Sequence, residues 1–246
     1  TAFLYNPTAW ILNRPSLTQT LDASGAVVAQ RRFSYDGATL HTTPPTTGLL
    51  TKEEAWLNGP TGQTGATWLA TSLTYDPFGN VTTVTDALNR TTTNTYDAGG
   101  TYLIQIANVL GHTRQLSYEA RFGAVTSSTD QNGVTTTTDY DALGRVTKVI
   151  GPTDTAALPT LSYNYDLSTN PAKTTVSTRI QSGQPAVLTA YTFTARLGRT
   201  LQTRSPAEDP TKQVVSGAVE LDARGLAVKQ WVPYLSASSS SYVPFS

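Results

Sequence analysis

Thr137-Thr138-Asp139-Tyr140-Asp141-Ala142-Leu143-Gly144-Arg145-Val146-Thr147 decides the fold, because its central phrase returns at a fixed interval. Earlier copies read Tyr75-Asp76-Pro77-Phe78-Gly79, Tyr96-Asp97-Ala98-Gly99 and Tyr118-Glu119-Ala120-Arg121-Phe122-Gly123. The tyrosines stand 21, 22 and 22 residues apart. A second phrase falls midway: Asp86-Ala87-Leu88-Asn89, Asn108-Val109-Leu110-Gly111 and Asp130-Gln131-Asn132-Gly133. A period of this length marks an array of one supersecondary unit.

Each unit holds two turns joined by Thr-, Val- and Tyr-rich runs, which favour strands. In Asp76-Pro77-Phe78-Gly79 the aspartate accepts from the turn backbone, proline presets φ, and glycine takes the left-handed position. One repeat is therefore one β-hairpin, and the chain is an all-β antiparallel meander forming a continuous curved sheet. Tyr118 to Gly123 and Phe193 to Gly198 each read as a turn with one extra residue. The strands entering the turns alternate. Leu73/Tyr75, Asn94/Tyr96, Leu116/Tyr118, Thr138/Tyr140, Tyr163/Tyr165, Tyr191/Phe193 and Val219/Leu221 are expected on one face, with polar residues between them. Aromatic residues of successive repeats would then recur about 10 Å apart along that face.

The repeats are most regular over residues 71–150, irregular over 1–70 and longer-looped over 151–246, within one fragment spanning 1–246. Tyr35-Asp36-Gly37 and Asp22-Ala23-Ser24-Gly25 read as outlying copies. Thr43-Pro44-Pro45-Thr46 and Asn58-Gly59-Pro60-Thr61-Gly62 read as loops, and Ser236 to Ser241 as a flexible one. A formal net charge of zero argues against a nucleic-acid or anionic-membrane partner. No apolar run approaches the length of a membrane-spanning helix. The absence of cysteine excludes disulfides, zinc–thiolate sites and thiol catalysis. There is no methionine, and Thr1 enters in mid-pattern, which reads as an internal piece of a longer polypeptide.

The repeated phrases closely resemble the tyrosine–aspartate (YD) repeats of the Rhs superfamily. Its members include shell-forming subunits of bacterial toxin complexes, polymorphic toxins, wall-associated proteins and teneurins. Residues 137–147 match best, and Asp86-Ala87-Leu88-Asn89-Arg90-Thr91 matches the second turn. Leu221-Asp222-Ala223-Arg224-Gly225 with Pro233-Tyr234 looks like the toxin-complex branch. The resemblance implies a spiral sheet forming the wall of a hollow shell that holds a toxin polypeptide. The family's self-cleaving segment and variable toxin module have no counterpart here. The implied partners are further repeats or adjoining shell chains and an enclosed polypeptide, and the implied location is secreted or cell-surface. The structural repeat residues are Tyr75, Asp76, Gly79, Tyr96, Asp97, Gly99, Tyr118, Gly123, Tyr140, Asp141, Gly144 and Arg145.

No catalytic, cofactor or metal site stands out, and the expected function is structural rather than enzymatic. Adjacent residues of a strand point to opposite faces, so Tyr140 and Asp141 do not make an acid–base pair. Asp130-Gln131-Asn132-Gly133 lacks the ligand spacing of a calcium loop. His41 and His112 are far apart, and His112 sits in a turn. Asn80-Val81-Thr82 and Asn89-Arg90-Thr91 are formal sequons of a kind that arises by chance in Thr-rich chains. Trp10, Trp56, Trp68 and Trp231 read as core residues, with a sugar platform as the competing reading. The competing function is a cell-surface adhesin built of the same repeats, holding a glycan or a protein.

Overall fold

The computed structural model describes residues 1–59, 65–195 and 198–244. The loop read at Gly59-Pro60-Thr61-Gly62 therefore lies outside the described residues from 60 onward, as do positions 196 and 197 of the turn after Phe193. Twenty strands and no α-helix occur among the described residues. Eighteen strands form a long antiparallel sheet that does not close on itself.

The chain divides into two compact units, Thr1–Leu116 and Ser117–Ser246. The first holds β1 (Ala2–Asn6), β2 (Ile11–Leu21), β3 (Val27–Tyr35), β4 (Leu50–Asn58), β5 (Thr67–Tyr75), β6 (Val81–Thr85), β7 (Thr91–Tyr96), β8 (Leu103–Ala107) and the start of β9 (Thr113–Glu119). Each strand pairs antiparallel with the next, as a meander requires. The second holds β10 (Ala124–Thr129), β11 (Thr135–Tyr140), β12 (Val146–Ile150), β13 (Leu161–Asp166), β14 (Ala172–Arg179), β15 (Val187–Thr194), β16 (Thr200–Pro206) and β17 (Lys212–Ser216), paired in the same serial order.

The last hairpin is bent. β17 pairs with β20 (Tyr234–Ala237), while β18 (Val219–Leu221) and β19 (Ala227–Gln230) form a two-stranded tip. The pairs Val215↔Tyr234 and Val219↔Gln230 fall on one register, and Trp231 N donates to Ala218 O between them at 3.0 Å. The tip is thus the end of a single long hairpin that leaves the ladder at Gly217-Ala218. Gly217 takes φ 61° there, a conformation open to glycine.

A β-bulge recurs where strands enter their turns: Ser34/Tyr35, Thr74/Tyr75, Thr95/Tyr96, Asp139/Tyr140, Phe193/Thr194 and Glu220/Leu221. Such a bulge adds local twist at the same place in the repeats that carry it; β13 enters its turn without one, its ladder running unbroken to Asp166↔Lys173. Burial is sparse. Among the described residues only Leu4, Tyr35, Phe193, Val215 and Ala218 are buried hydrophobics, so most strands have no deep core beneath them.

Directly opposed residues in an antiparallel ladder share a face. Leu73 pairs with Val84 and Val84 with Thr92, and Asn94 and Tyr96 follow on the same side of β7, so Tyr75 and Tyr96 share a face. In β9, Leu116 and Tyr118 share a side with Arg114, the partner of Ile106, itself the partner of Asn94. In the second unit, Thr138 pairs with Val149 and Val149 with Leu161, which places Tyr140 with Tyr163 and Tyr165. Tyr191 and Phe193 depart from the expected face. Tyr163 pairs with Val176, and Val176 with Ala190, so Tyr191 and Phe193 point to the side opposite Tyr163 and Tyr165. The turn geometry gives the reason. Gly198 N donates to Ala195 O and Ala195 N to Arg199 O, which makes Thr194 the counterpart of Tyr75. This turn has no extra residue, and a one-residue slip in reading it reverses the face.

Candidate functional site

The recurring unit is a corner built by one aspartate. Asp141 Oδ1 accepts from Leu143 N and Arg145 N, both at 2.9 Å, while Gly144 N donates to Asp141 O at 3.1 Å. The same pattern appears at Asp76 with Phe78 N and Asn80 N, at Asp86 with Leu88 N and Arg90 N, and at Asp130 with Asn132 N and Val134 N. Asn108 does likewise with Leu110 N and His112 N. Asp97 accepts from Thr101 N and Tyr102 N, its turn being one residue longer. Glu119 replaces aspartate in a wider corner, where Gly123 N reaches Glu119 O at 2.9 Å across one extra residue. At Asp141 and Asp86 these donors favour the charged carboxylate. The Arg145 amide, followed by the Arg145 and Leu143 groups, lowers Asp141, and the Arg90 side chain and amide lower Asp86.

Glycine closes the tyrosine–aspartate corners, and Asn89, at φ 59°, closes the one at Asp86. Gly79, Gly123 and Gly144 take φ of 86°, 64° and 77°. In the second repeat this role falls to Gly100, at φ 65°, and not to Gly99, because Gly100 N makes the turn bond to Asp97 O at 2.9 Å. A side chain from the preceding turn covers the glycine. A Cβ on Gly100 would overlap the Phe78 ring, and one on Gly144 would lie 3.0 Å from the Phe122 ring. Glycine is thus needed there for close approach as well as for φ.

The tyrosine hydroxyl then ties one repeat to the one before it. Tyr75 Oη donates to Leu50 O at 2.6 Å, Tyr140 Oη to Val125 O at 2.8 Å and Tyr165 Oη to Val146 O at 2.9 Å. Each acceptor lies just after the preceding repeat's turn. Asn94 Nδ2 does the same with Val81 O at 3.0 Å. Arg145 completes the joint: its Nε donates to Asp141 Oδ2 at 2.7 Å, and its guanidinium lies 4.3 Å from the Tyr165 ring centroid. The hydroxyl bond was a role the sequence reading missed. The signal for it is the choice of tyrosine over phenylalanine at Tyr75, Tyr140 and Tyr165.

A second cluster had no signal in the repeats. Arg204 is 1% exposed and lies on the face of Phe193, with Gln202 and Gln213, all buried. Its guanidinium donates to Gln213 Oε1 at 2.9 Å, Gln202 Oε1 at 3.2 Å, Ser236 Oγ at 3.1 Å and Ala237 O at 2.7 Å. The serine-rich stretch, expected to be a flexible loop, supplies β20 through Ala237 and then crosses this face. Tyr242 packs on Phe193 with ring centroids 5.7 Å apart.

Other residues with chemical potential are accounted for locally. Asp36, at φ 56°, is partly buried, yet Thr47 Oγ1 and the amides of Gly48, Thr47 and Thr46 hold its carboxyl far below the usual range. Burial, then Arg32, pushes His41 down, and His112 is a turn residue beside Asn108. Trp56 and Trp68 are cross-strand partners, and the Arg32 guanidinium covers the Trp68 ring at 3.4 Å, which leaves that face no room for a sugar. Trp10 is 85% exposed, so it is not the core residue expected. Among the described residues no group of three or more His, Cys, Asp or Glu side chains is placed to hold a metal, and no helix is long and apolar enough to cross a membrane.

The family model described as RHS Repeat matches residues 75–113 and 118–156, the stretch whose corners are most regular. Those two segments match the YD/RHS repeat. The likeness in fold extends beyond them. The crystal structure of TcdB2-TccC3 superposes with a TM-score of 0.69 over 95% of this chain at 17% identity. That of TcdB2-TccC3-Cdc42 gives 0.69 over 95% at 15% identity. A Photorhabdus luminescens Tc holotoxin pore gives 0.66 over 95% at 16% identity. The chain spans 17% to 19% of those longer chains. No curated protein matches its sequence.

Proposed function

We propose that this chain is a wall segment of a YD/Rhs-repeat shell, secreted or exposed outside the cell, that encloses a toxin polypeptide and is not itself catalytic. The observation that carries the reading is the serial 18-stranded sheet whose repeats are tied corner to corner by tyrosine hydroxyls. Such a sheet has few buried side chains and many satisfied rim contacts, which suits a barrier whose use lies in extent rather than in a pocket. Its carboxylates at Asp76, Asp86, Asp97, Asp130 and Asp141 are engaged by turn amides, which leaves them poorly placed for acid–base work. The fold shared with segments of the Tc structures supports the same reading, as does the RHS match. Adjoining repeats or shell chains would pair with the free sides of β1 and β20, since unpaired edges of this length invite further strands.

The deciding experiment is electron-microscopic imaging of the parent polypeptide that carries these residues, with and without limited proteolysis. A hollow particle that protects an internal polypeptide from protease is expected. A solid or rod-like particle, or turnover of a substrate abolished by no cargo mutation, overturns it.

A further inference from the structure

The cover over the Arg204 face is held almost wholly by its main chain. Arg204 Nη2 donates to Ala237 O at 2.7 Å, and Ser238 N donates to Thr211 O at 2.9 Å. Ser239 N donates to Gln213 Oε1 at 3.0 Å, Lys173 Nζ to Ser240 O at 3.4 Å, and Gln202 Nε2 to Val243 O at 3.1 Å. Side chains add Ser236 Oγ to Arg204 and Ser238 Oγ to Pro210 O. At the far end the Tyr242 ring meets Phe193, which is 2% exposed. The residues doing the reading are themselves fixed, Gln202 being fully buried, Arg204 1% exposed and Gln213 6% exposed.

Burying an arginine with no carboxylate beside it is costly unless its donors are met, and apolar side chains would fill the same space more cheaply. Among the described residues Arg204 has no ion-pair partner; amide and hydroxyl oxygens and one main-chain carbonyl take its place. Such a set suits recognition of polypeptide backbone, which offers carbonyl and amide groups whatever its sequence.

We propose that Phe193, Gln202, Arg204 and Gln213, with the end of β20, form a binding slot for an extended polypeptide, tolerant of sequence apart from one aromatic residue, and that residues 238–243 occupy it as an exchangeable internal ligand. The partner is an unfolded or extended protein segment with small side chains leading into an aromatic one. The slot stands independently of the wall reading, which is decided by imaging the parent.

Two measurements on the full chain test it. The first is amide exchange over residues 238–243. Replacing Ser238, Ser240 and Ser241 together by alanine should leave protection there within about twofold, because the main chain carries the contacts and Ser239 Oγ, which accepts from Ser241 N, is kept. Arg204→Met and Tyr242→Ala should each lower it by about tenfold or more while β11–β14 stay protected. The second measurement uses Tyr242→Ala, in which the internal ligand is weakened, and a labelled peptide Ser-Ala-Ser-Ser-Ser-Ser-Tyr-Val-Pro. Saturable binding by Tyr242→Ala is expected, with binding lost when Gln202→Leu is added. If Arg204→Met fails to fold, the Gln202→Leu comparison decides. Loss of protection on the serine-to-alanine change, unchanged protection in the slot variants, or no peptide binding to Tyr242→Ala would each overturn the proposal.

Discussion

Within the second unit, hairpins β11–β14 and β15–β17 are built of the same repeat but are stabilised differently. In β11–β14, Tyr140 and Tyr165 are only half-buried and work through their hydroxyls, with Asp141 and Arg145 setting the corner between them. In β15–β17 the aromatic residue is Phe193, without a hydroxyl, and it is buried on the other face with Gln202, Arg204 and Val215. A one-layer sheet cannot bury side chains unless something lies across it. Where nothing does, stability must come from the rim of turns. Where residues 238–243 lie across it, a true core forms.

The largest effect that would sharpen this contrast is at Phe193. Phe193→Ala should cost about 3 kcal/mol or more, the range for emptying a packed aromatic site. Chemical unfolding of the chain measures it, and a loss below that of Tyr140→Phe would erase the distinction between the two regions.

Next comes the rim. Gly144→Val should cost about 2 kcal/mol, combining left-handed strain with a clash against Phe122. Gly133→Ala, with the same φ of 77° and nothing within 4 Å of a new Cβ, should cost only about 1 kcal/mol. Equal losses would show that the ring contact contributes nothing.

The hydroxyl ties come third. Tyr165→Phe and Tyr140→Phe should each lose about 1 kcal/mol, the usual net worth of one hydrogen bond with its carbonyl left unmet. Thermal unfolding indistinguishable from the parent in both variants would remove the tie from the account of β11–β14.

The smallest effect is acid sensitivity. Asp141, lowered first by the Arg145 amide, and Asp86, lowered first by the Arg90 side chain, bind protons less readily folded than unfolded. Their contribution is complete above the unfolded carboxylate value near 4 and fades as pH falls through the lower folded values. His41, lowered by burial and then by Arg32, would begin a separate loss below about 6.5, so the titration belongs in a His41→Gln variant. There the melting temperature should hold from pH 7 to about 5 and fall below about 4. A midpoint near 6 would contradict the role given to the aspartates.

The period, the serial hairpins and the corners at 76–79, 86–89, 108–111, 130–133 and 141–144 were legible because each is a short-range bargain between one carboxylate or amide, two or three main-chain amides and a glycine or asparagine. Sequence misleads where two candidates lie side by side. Gly99 and Gly100 differ by one step, and Phe193 has the aromatic character of a tyrosine counterpart although counting back from Gly198 reaches Thr194. The Arg204 slot was illegible for a different reason. Gln202, Gln213, Ser239 and Val243 are brought together only after four strands have been laid down, and serine-rich composition says nothing about who will read its backbone.

The hydroxyl ties have an evolutionary corollary. Their acceptors, Leu50, Val125 and Val146, are strand residues just past each turn, so a tie survives whatever the length of the turn before it: the Tyr75 tie holds behind the long connection 36–49. At the other rim the connections run from the five residues 130–134 to the ten residues 151–160, and Arg179 Nε reaches back to Pro159 O at 2.9 Å. Lineages that enlarge or decorate such an array should therefore insert residues inside the turns and spare the strand residue that accepts each tie, leaving those acceptors as a conserved selvedge along which new repeats can be added by duplication.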